Sequence, residues 1–244
     1  MQIFFKTDVG LVRSCNQDSC RYGKISDTCA WSVVCDGMGG ANGGSVASAE
    51  AVEEISRILC EGFSFDLSDD ELKELLVSAV LSANSKVFAM SCEHENLRGM
   101  GTTVEVALIK ENKLYVVHAG DSRVYLVSGG EISQVTVDHS LVQQLVDSGQ
   151  ITPEEARVHP SKNFITRALG VEEKLEVDFI TKPFSNGDIL VMCTDGLSNY
   201  FETRELLEVI DSTPHTEELA EQLVEFAKER GGSDNITVIV LVNE

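Results

Sequence analysis

The chain has 244 residues, 43% of them hydrophobic and 24% charged, with only four prolines. That much apolar material can bury a sizeable core and excludes intrinsic disorder as the governing state. Nineteen lysines and arginines face 40 aspartates and glutamates, a formal charge of −21, and such a field repels phosphate backbones and anionic headgroups, so neither nucleic-acid binding nor docking to anionic membranes is expected.

The first residues, Met1 to Asp8, lack the basic stretch and apolar run of a secretory signal. Strand-like runs come first at Ile3–Phe5 and Cys29–Cys35. The glycine-rich stretch Gly37–Gly44 then reads as a backbone turn, with a helix behind it over Gly44–Leu59. It departs from the dinucleotide fingerprint because Asn42 stands at the third glycine, and it has no Gly-Lys-Ser/Thr, so no nucleotide is implied. From Ser68 onward, Leu72, Leu75, Leu76, Ala79, Val80, Ala83 and Val87 recur at helical spacing, and Ser68 with Glu71 forms a capping box.

A meander of strands follows at Thr103–Ile109, Leu114–His118 and Arg123–Val127, punctuated by Ser128-Gly129-Gly130. The segment Asp138–Gly170 has a second capping box, Thr152-Pro153-Glu154-Glu155, and few apolar runs, so it is expected to be a surface excursion with short helices. Next come a strand at Ile189–Cys193, a helix over Thr216–Arg230 ended by Gly231-Gly232, and a last strand at Ile236–Val242. That last run is the longest apolar one, far short of the roughly 18 residues of a membrane span. No linker divides the chain, so residues 1–244 are expected to form one domain. Strands and helices do not alternate, which points to an α+β fold with antiparallel sheets.

Seven cysteines, Cys15, Cys20, Cys29, Cys35, Cys60, Cys92 and Cys193, form no CxxC pair, and several sit inside apolar runs. Reduced, buried thiols in a cytoplasmic protein are the expectation. No exposed apolar helix stripe is evident, so a monomer is expected.

Three apolar runs each end in an aspartate followed by a small residue: Cys35-Asp36-Gly37, Gly120-Asp121-Ser122 and Thr194-Asp195-Gly196. Asp234 precedes the last strand, and Asp18 precedes the short run toward Tyr22. Any one of them reads as an ordinary turn. As a set they invite a different reading, because in an antiparallel sheet all five carboxylates can reach one rim. Crowded carboxylates repel unless a cation intervenes, and oxygen-only donors suit a hard ion such as Mg²⁺ or Mn²⁺. One carboxylate can bridge two ions about 3.5–4 Å apart, as in two-metal phosphoryl transfer. Gly37, lacking a Cβ, would let its carbonyl approach a metal. Arg13 alone reads as a solvated surface residue, but beside such a cluster its fork matches a phosphate dianion.

Eight motifs in order carry a resemblance over Thr7 to Val242: Arg13 with Asn16-Gln17-Asp18, Asp36-Gly37-Met38-Gly39-Gly40, Gly101-Thr102-Thr103, Gly120-Asp121-Ser122-Arg123, Asp138-His139-Ser140, Thr166-Arg167-Ala168-Leu169-Gly170, Thr194-Asp195-Gly196-Leu197 and Ser233-Asp234-Asn235-Ile236-Thr237. The chain resembles the metal-dependent serine/threonine protein phosphatases of type 2C, in their compact bacterial branch. The resemblance implies an α-β-β-α sandwich, two antiparallel sheets flanked by helices, with the metals at one end. It implies two Mn²⁺ or Mg²⁺ ions bridged by Asp36, with the Gly37 carbonyl, Asp195 and Asp234 as further ligands. Asp18 would hold metal-bound waters, Arg13 would grip the phosphate, and Asp121 with Asp195 would form a weaker third metal position. Residues 138–170 would be a flap beside the site, with His139 and His159 structural rather than catalytic.

The implied activity is hydrolysis of phosphoserine and phosphothreonine by direct attack of a hydroxide bridging the metals. The partners would be phosphoproteins made by a cognate Ser/Thr kinase. Two residues depart from relatives: Gln17 replaces a glutamate, and Met38 occupies the place of a histidine proposed as general acid. Three competing readings are an inactive phosphoprotein sensor, a two-metal nuclease and a structural protein with ordinary Asp-Gly turns. The intact aspartate set disfavours the first, and the −21 charge disfavours the second.

Overall fold

The computed structural model describes residues 1–214 and 216–243, with the side chains of Ala41 and Asn42 outside what it describes. In chain order the elements are β1 (Gln2–Asp8), β2 (Asp18–Ser26), β3 (Cys29–Met38), α1 (Gly40–Gly62), α2 (Asp69–Glu93), β4 (Gly101–Thr102), β5 (Val104–Lys110), β6 (Lys113–Ala119), β7 (Arg123–Ser128) and β8 (Glu131–Gln134). They continue with α3 (Leu141–Asp147), α4 (Pro153–Arg157), β9 (Asp178–Pro183), β10 (Ile189–Cys193), α5 (Asp195–Ser198), α6 (Thr203–Ser212), α7 (Glu217–Glu229) and β11 (Ile236–Val242).

Two sheets form, one in the order β1-β11-β10-β7-β8 and the other β2-β3-β5-β6-β9, with β4 paired to the end of β3. Neighbouring strands pair antiparallel. The central strands read as unbroken apolar runs because both of their faces are covered. In β11, Ile236, Val238, Val240 and Val242 face α6 and α7, while Ile239 and Leu241 face the opposite sheet. In β3, Trp31, Val33 and Cys35 pack under α1 and α2, while Ala30 and Val34 meet the other sheet. Three apolar layers result: helix on sheet, sheet on sheet, sheet on helix. This is the α-β-β-α sandwich that the resemblance implies.

The capping boxes at Ser68/Glu71 and Thr152/Glu155 form as the sequence suggests, and Gly231 and Gly232 close α7 by donating to the Lys228 and Ala227 carbonyls. Helix α1 starts at Gly40, four residues before the expected Gly44. Strands β8 and β9 and helix α6 have no counterpart in the sequence reading, and β2 was only hinted at. Among the described residues one helix, α2, is long and apolar enough to cross a membrane by length and composition. Its Leu72, Leu76, Ala79, Val80, Ala83 and Val87 are fully buried against the sheet and α1, which is the packing of a core helix. The excursion after Asp138 carries the short α3 and α4 and returns to the core at Leu169, whose backbone pairs with Thr102.

Candidate active site

The strand ends of both sheets meet at one edge of the sandwich around a cavity of about 530 Å³. Its walls include Arg13, Asp36, Gly37, Asp121, Asp195 and Asp234. Asp18 does not reach this surface. It lies buried behind Asp36, its direct cross-strand partner in the β2–β3 ladder. Six of the seven residues expected at the site therefore share one cavity, and the seventh supports it from beneath.

The glycines after the aspartates explain how the strand ends come so close. A Cβ on Gly37 would collide with the backbone oxygens of Gly44 and Gln17, and one on Gly196 with that of Asn235. Gly37 lets α1 and the Gln17 loop close on the tip of β3, while Gly196 sets Asp195 against Asp234. Threonines then fix the backbone. Thr102 Oγ1 donates to the Asp36 carbonyl at 2.8 Å, and the Asp36 N–H donates to Thr103 Oγ1 at 3.0 Å. Thr194 Oγ1 donates to Asp18 Oδ2 at 2.9 Å while accepting the Thr237 N–H, which ties Asp18 to the other sheet.

Asn235 organises the loop that carries Arg13. Its amide donates to the carbonyls of Val9 and Cys15 at 3.0 and 2.9 Å, and its Oδ1 accepts the Gln17 N–H at 2.8 Å. Sequence reasoning noted Asn235 inside a motif but gave it no role; its two donors and one acceptor beside an aspartate were the available signal. Across the cavity, Arg123 clamps Asp138 through Nε and Nη2. The His139 N–H donates to the Gly120 carbonyl, and the Gly120 N–H to His139 Nδ1. The base of the 138–170 excursion is thereby fastened to the Asp121 turn, and its Asn163 and Ile165 reach the cavity wall. Behind this, His118 and Glu105 form a fully buried pair at 2.8 Å, also unforeseen.

The electrostatics are those of an acid cluster. Burial, with Asp18, Asp195 and Asp121 adding repulsion, holds the Asp36 carboxyl well above the usual range. Burial raises Asp195 too, Asp234 adding to the shift while Asp36, within hydrogen-bond reach, offsets part of it. Asp121 is raised by burial and by Asp195, and burial pushes Asp18 up to about 7. Among the described residues three buried carboxylate oxygens have no hydrogen-bond partner: Asp18 Oδ1 and Asp195 Oδ1 in the cluster, and Glu105 Oε2 in the pair behind it. Asp234 is engaged: Oδ2 accepts from Arg13 Nη2 at 2.8 Å and Oδ1 from the Asn235 N–H at 2.9 Å. Accordingly, among the described residues no three His, Cys, Asp or Glu side chains stand ready-made around one point as an ion-holding group. The orphaned oxygens, the mutual repulsion and the all-oxygen donor set nevertheless fit a hard divalent cation.

Residues 12–236 match the family described as Protein phosphatase 2C. The chain belongs to that family. It is 37% identical over 241 residues to the serine/threonine phosphatase stp of Listeria monocytogenes, covering 99% of this chain and 95% of the relative. Among solved structures it resembles the serine/threonine phosphatase PstP/Ppp of Mycobacterium tuberculosis, with a TM-score of 0.88, 37% identity and coverage of 98% and 97% of the two chains. It also resembles the catalytic domain of PstP in complex with two manganese ions, with a TM-score of 0.84, 36% identity and coverage of 98% and 96%. As a type 2C phosphatase the chain is a metal-dependent phosphoprotein hydrolase, and its acid-lined cavity lies where its own strand ends converge.

Proposed function

We propose that this phosphatase hydrolyses phosphoserine and phosphothreonine, with Asp36, the Gly37 carbonyl, Asp195 and Asp234 holding two Mn²⁺ or Mg²⁺ ions. Asp121 with Asp195 would hold a weaker third. The observation that carries this reading is the gathering of four carboxylates and one arginine around a single cavity, with one oxygen of Asp195 among them and one of Asp18 beneath them left without a partner. When bound, the ions supply a nucleophile by lowering the pKa of water from 15.7 to about 7.

The chain's own groups do the rest. Arg13 offers a planar fork to the phosphate dianion and neutralises its equatorial oxygens in an in-line displacement. Asp18, held by Thr194 beneath the cavity, has Oδ1 without a protein partner and would accept there a hydrogen bond from a water held by the ions. Met38 lines the cavity but carries no proton, so the departing serine or threonine alkoxide takes its proton from water in the cavity. Residues 1–244 act as one catalytic domain with residues 138–170 as its flap. It works as a monomer in the cytoplasm on proteins phosphorylated by a cognate Ser/Thr kinase. Support for the compartment comes from the seven cysteines, all free thiols, although only Cys29, Cys35 and Cys193 are buried as expected while Cys15, Cys60 and Cys92 are exposed.

The test is turnover of p-nitrophenyl phosphate. Activity should require added Mn²⁺, vanish in EDTA, and fall on the order of a hundredfold or more in Asp36→Asn, the scale of losing one electrostatic contact to the transition state. An Asp36→Asn protein as active as its parent would refute the site.

A further inference from the structure

Large apolar side chains stand exposed next to two groups of cavity-lining residues, which form two lips. On one lip Leu11 and Val12 are 62% and 69% exposed, directly before the cavity-lining Arg13. On the other, Phe164 is 68% exposed between Asn163 and Ile165, both of which line the cavity. None of the three belongs to the apolar clusters that hold the sheets and helices together, so the fold does not require them.

Both lips are nonetheless rigidly mounted. The Leu11 N–H donates to the Gly232 carbonyl at 2.7 Å, and the Asn235 amide holds the carbonyls on either side, at Val9 and Cys15. The Phe164 carbonyl accepts from the Leu141 N–H at 2.8 Å, its N–H donates to Ser161, and the next residue, Ile165, bridges to Ser140. Apolar groups displayed on fixed backbone lose little freedom when a partner covers them, which is the condition for useful binding energy.

A phosphoprotein segment whose phosphate reaches Arg13 and the carboxylates enters a cavity that the neighbours of both groups line. At about 3.3–3.6 Å per extended residue, the neighbours one to three positions away lie about 3–11 Å from the phosphorylated residue, the range over which side chains beside the cavity can meet them. We infer that the lips grip apolar side chains flanking the phosphorylated residue, so the preferred substrates are phosphoproteins with apolar residues on both sides of the phosphoserine or phosphothreonine. The −21 charge works in the same direction by repelling acidic flanks at long range. This preference rests on the phosphatase reading given above.

The experiment uses phosphothreonine peptides of equal length with leucine, serine or glutamate at two positions on each side, compared by kcat/KM in Mn²⁺ beside p-nitrophenyl phosphate. The leucine peptide should exceed the serine peptide by about tenfold, with glutamate lowest. In the triple variant Leu11→Ser, Val12→Ser, Phe164→Ser the leucine-to-serine ratio should fall toward one, mainly through KM. Equal values for the leucine and serine peptides in the parent, or an undiminished ratio in the variant, would overturn the preference while p-nitrophenyl phosphate turnover left the phosphatase standing. Absence of that turnover in the parent takes both down. Binding to neutral phosphatidylcholine vesicles with no flank preference would reassign the lips to a lipid surface and overturn the proposal as well.

Discussion

Arg13 and Asp234 pair at 2.8 Å with side chains 52% and 36% exposed. A pair so open to water is worth about 0–1 kcal/mol, so a phosphate dianion, which offers two acceptors in the fork geometry, can draw the guanidinium away. Arg13→Ala is therefore expected to raise KM for a phosphopeptide severalfold with a smaller effect on kcat, and Arg13→Lys to recover only part of it, because an ammonium presents no fork. Steady-state kinetics on one peptide with all three proteins decides the matter, and an unchanged KM would remove Arg13 from phosphate binding. The aspartates were legible because each follows an apolar run and precedes a small residue, a pattern that survives in one dimension. The work of Asn235 was not legible, because its partners Val9 and Cys15 lie 226 and 220 residues away in sequence.

Strands with both faces buried and helices with a clear apolar stripe could be read closely, and most edge strands could not. β10 and β11 match their expected bounds, since unbroken apolar runs announce a covered strand. β2 and β9 are the two edges of their sheet and β8 is an edge of the other, and their exposed positions dilute the apolar signal. Helix α6 buries only Leu206 and Ile210 and opens on a glutamate cap, outside the usual Ser/Thr/Asp/Asn set. The early start of α1 has a different cause. Its glycines argue for a turn on propensity, yet a Cβ on Gly44 would sit 2.6 Å from the Gly37 carbonyl oxygen. Packing against the site overrides a propensity cost of about 1 kcal/mol per glycine. Gly44→Ala should consequently lower the thermal midpoint despite alanine's better helix propensity, and weaken Mn²⁺ binding by displacing Gly37. Calorimetric titration and thermal melts test both, and a stabilised variant with parental affinity would contradict the packing argument.

For the molecule as a whole, the acid cluster sets an unusual dependence on pH. A carboxyl raised by burial binds more protons when folded than when unfolded, so its contribution is fully present below about pH 4 and is lost as pH rises through the folded value. For Asp18 that value is about 7, and Asp36, Asp121 and Asp195 shift in the same direction. His118 adds to the trend: burial pulls it down, but pairing with Glu105 raises it overall, and the stability it confers is lost as it deprotonates. His139, lowered by burial, opposes the trend. Surface acids held low by partners, such as Asp69 and Glu71, are already ionised in both states above about pH 5. In EDTA the thermal midpoint should fall between about pH 5 and about pH 7.5. Mn²⁺ at 100 times its Kd should restore about 2.7 kcal/mol at the upper end, where the ionised carboxylates bind it. A midpoint in EDTA that climbs over this range would show that the cluster does not govern stability.

The pairing of β1 with β11, Gln2 opposite Val242 and Asp8 opposite Ile236, joins strands more than 200 residues apart in sequence. Asp234 and Asn235, which anchor the Arg13 loop, come just before that final strand. Without Asp234 and Asn235 the cavity lacks one wall. Competence to remove phosphate thus depends on this segment, and a chain cut short before Asp234 would have neither that carboxylate nor Asn235 to fasten the loop that carries Arg13.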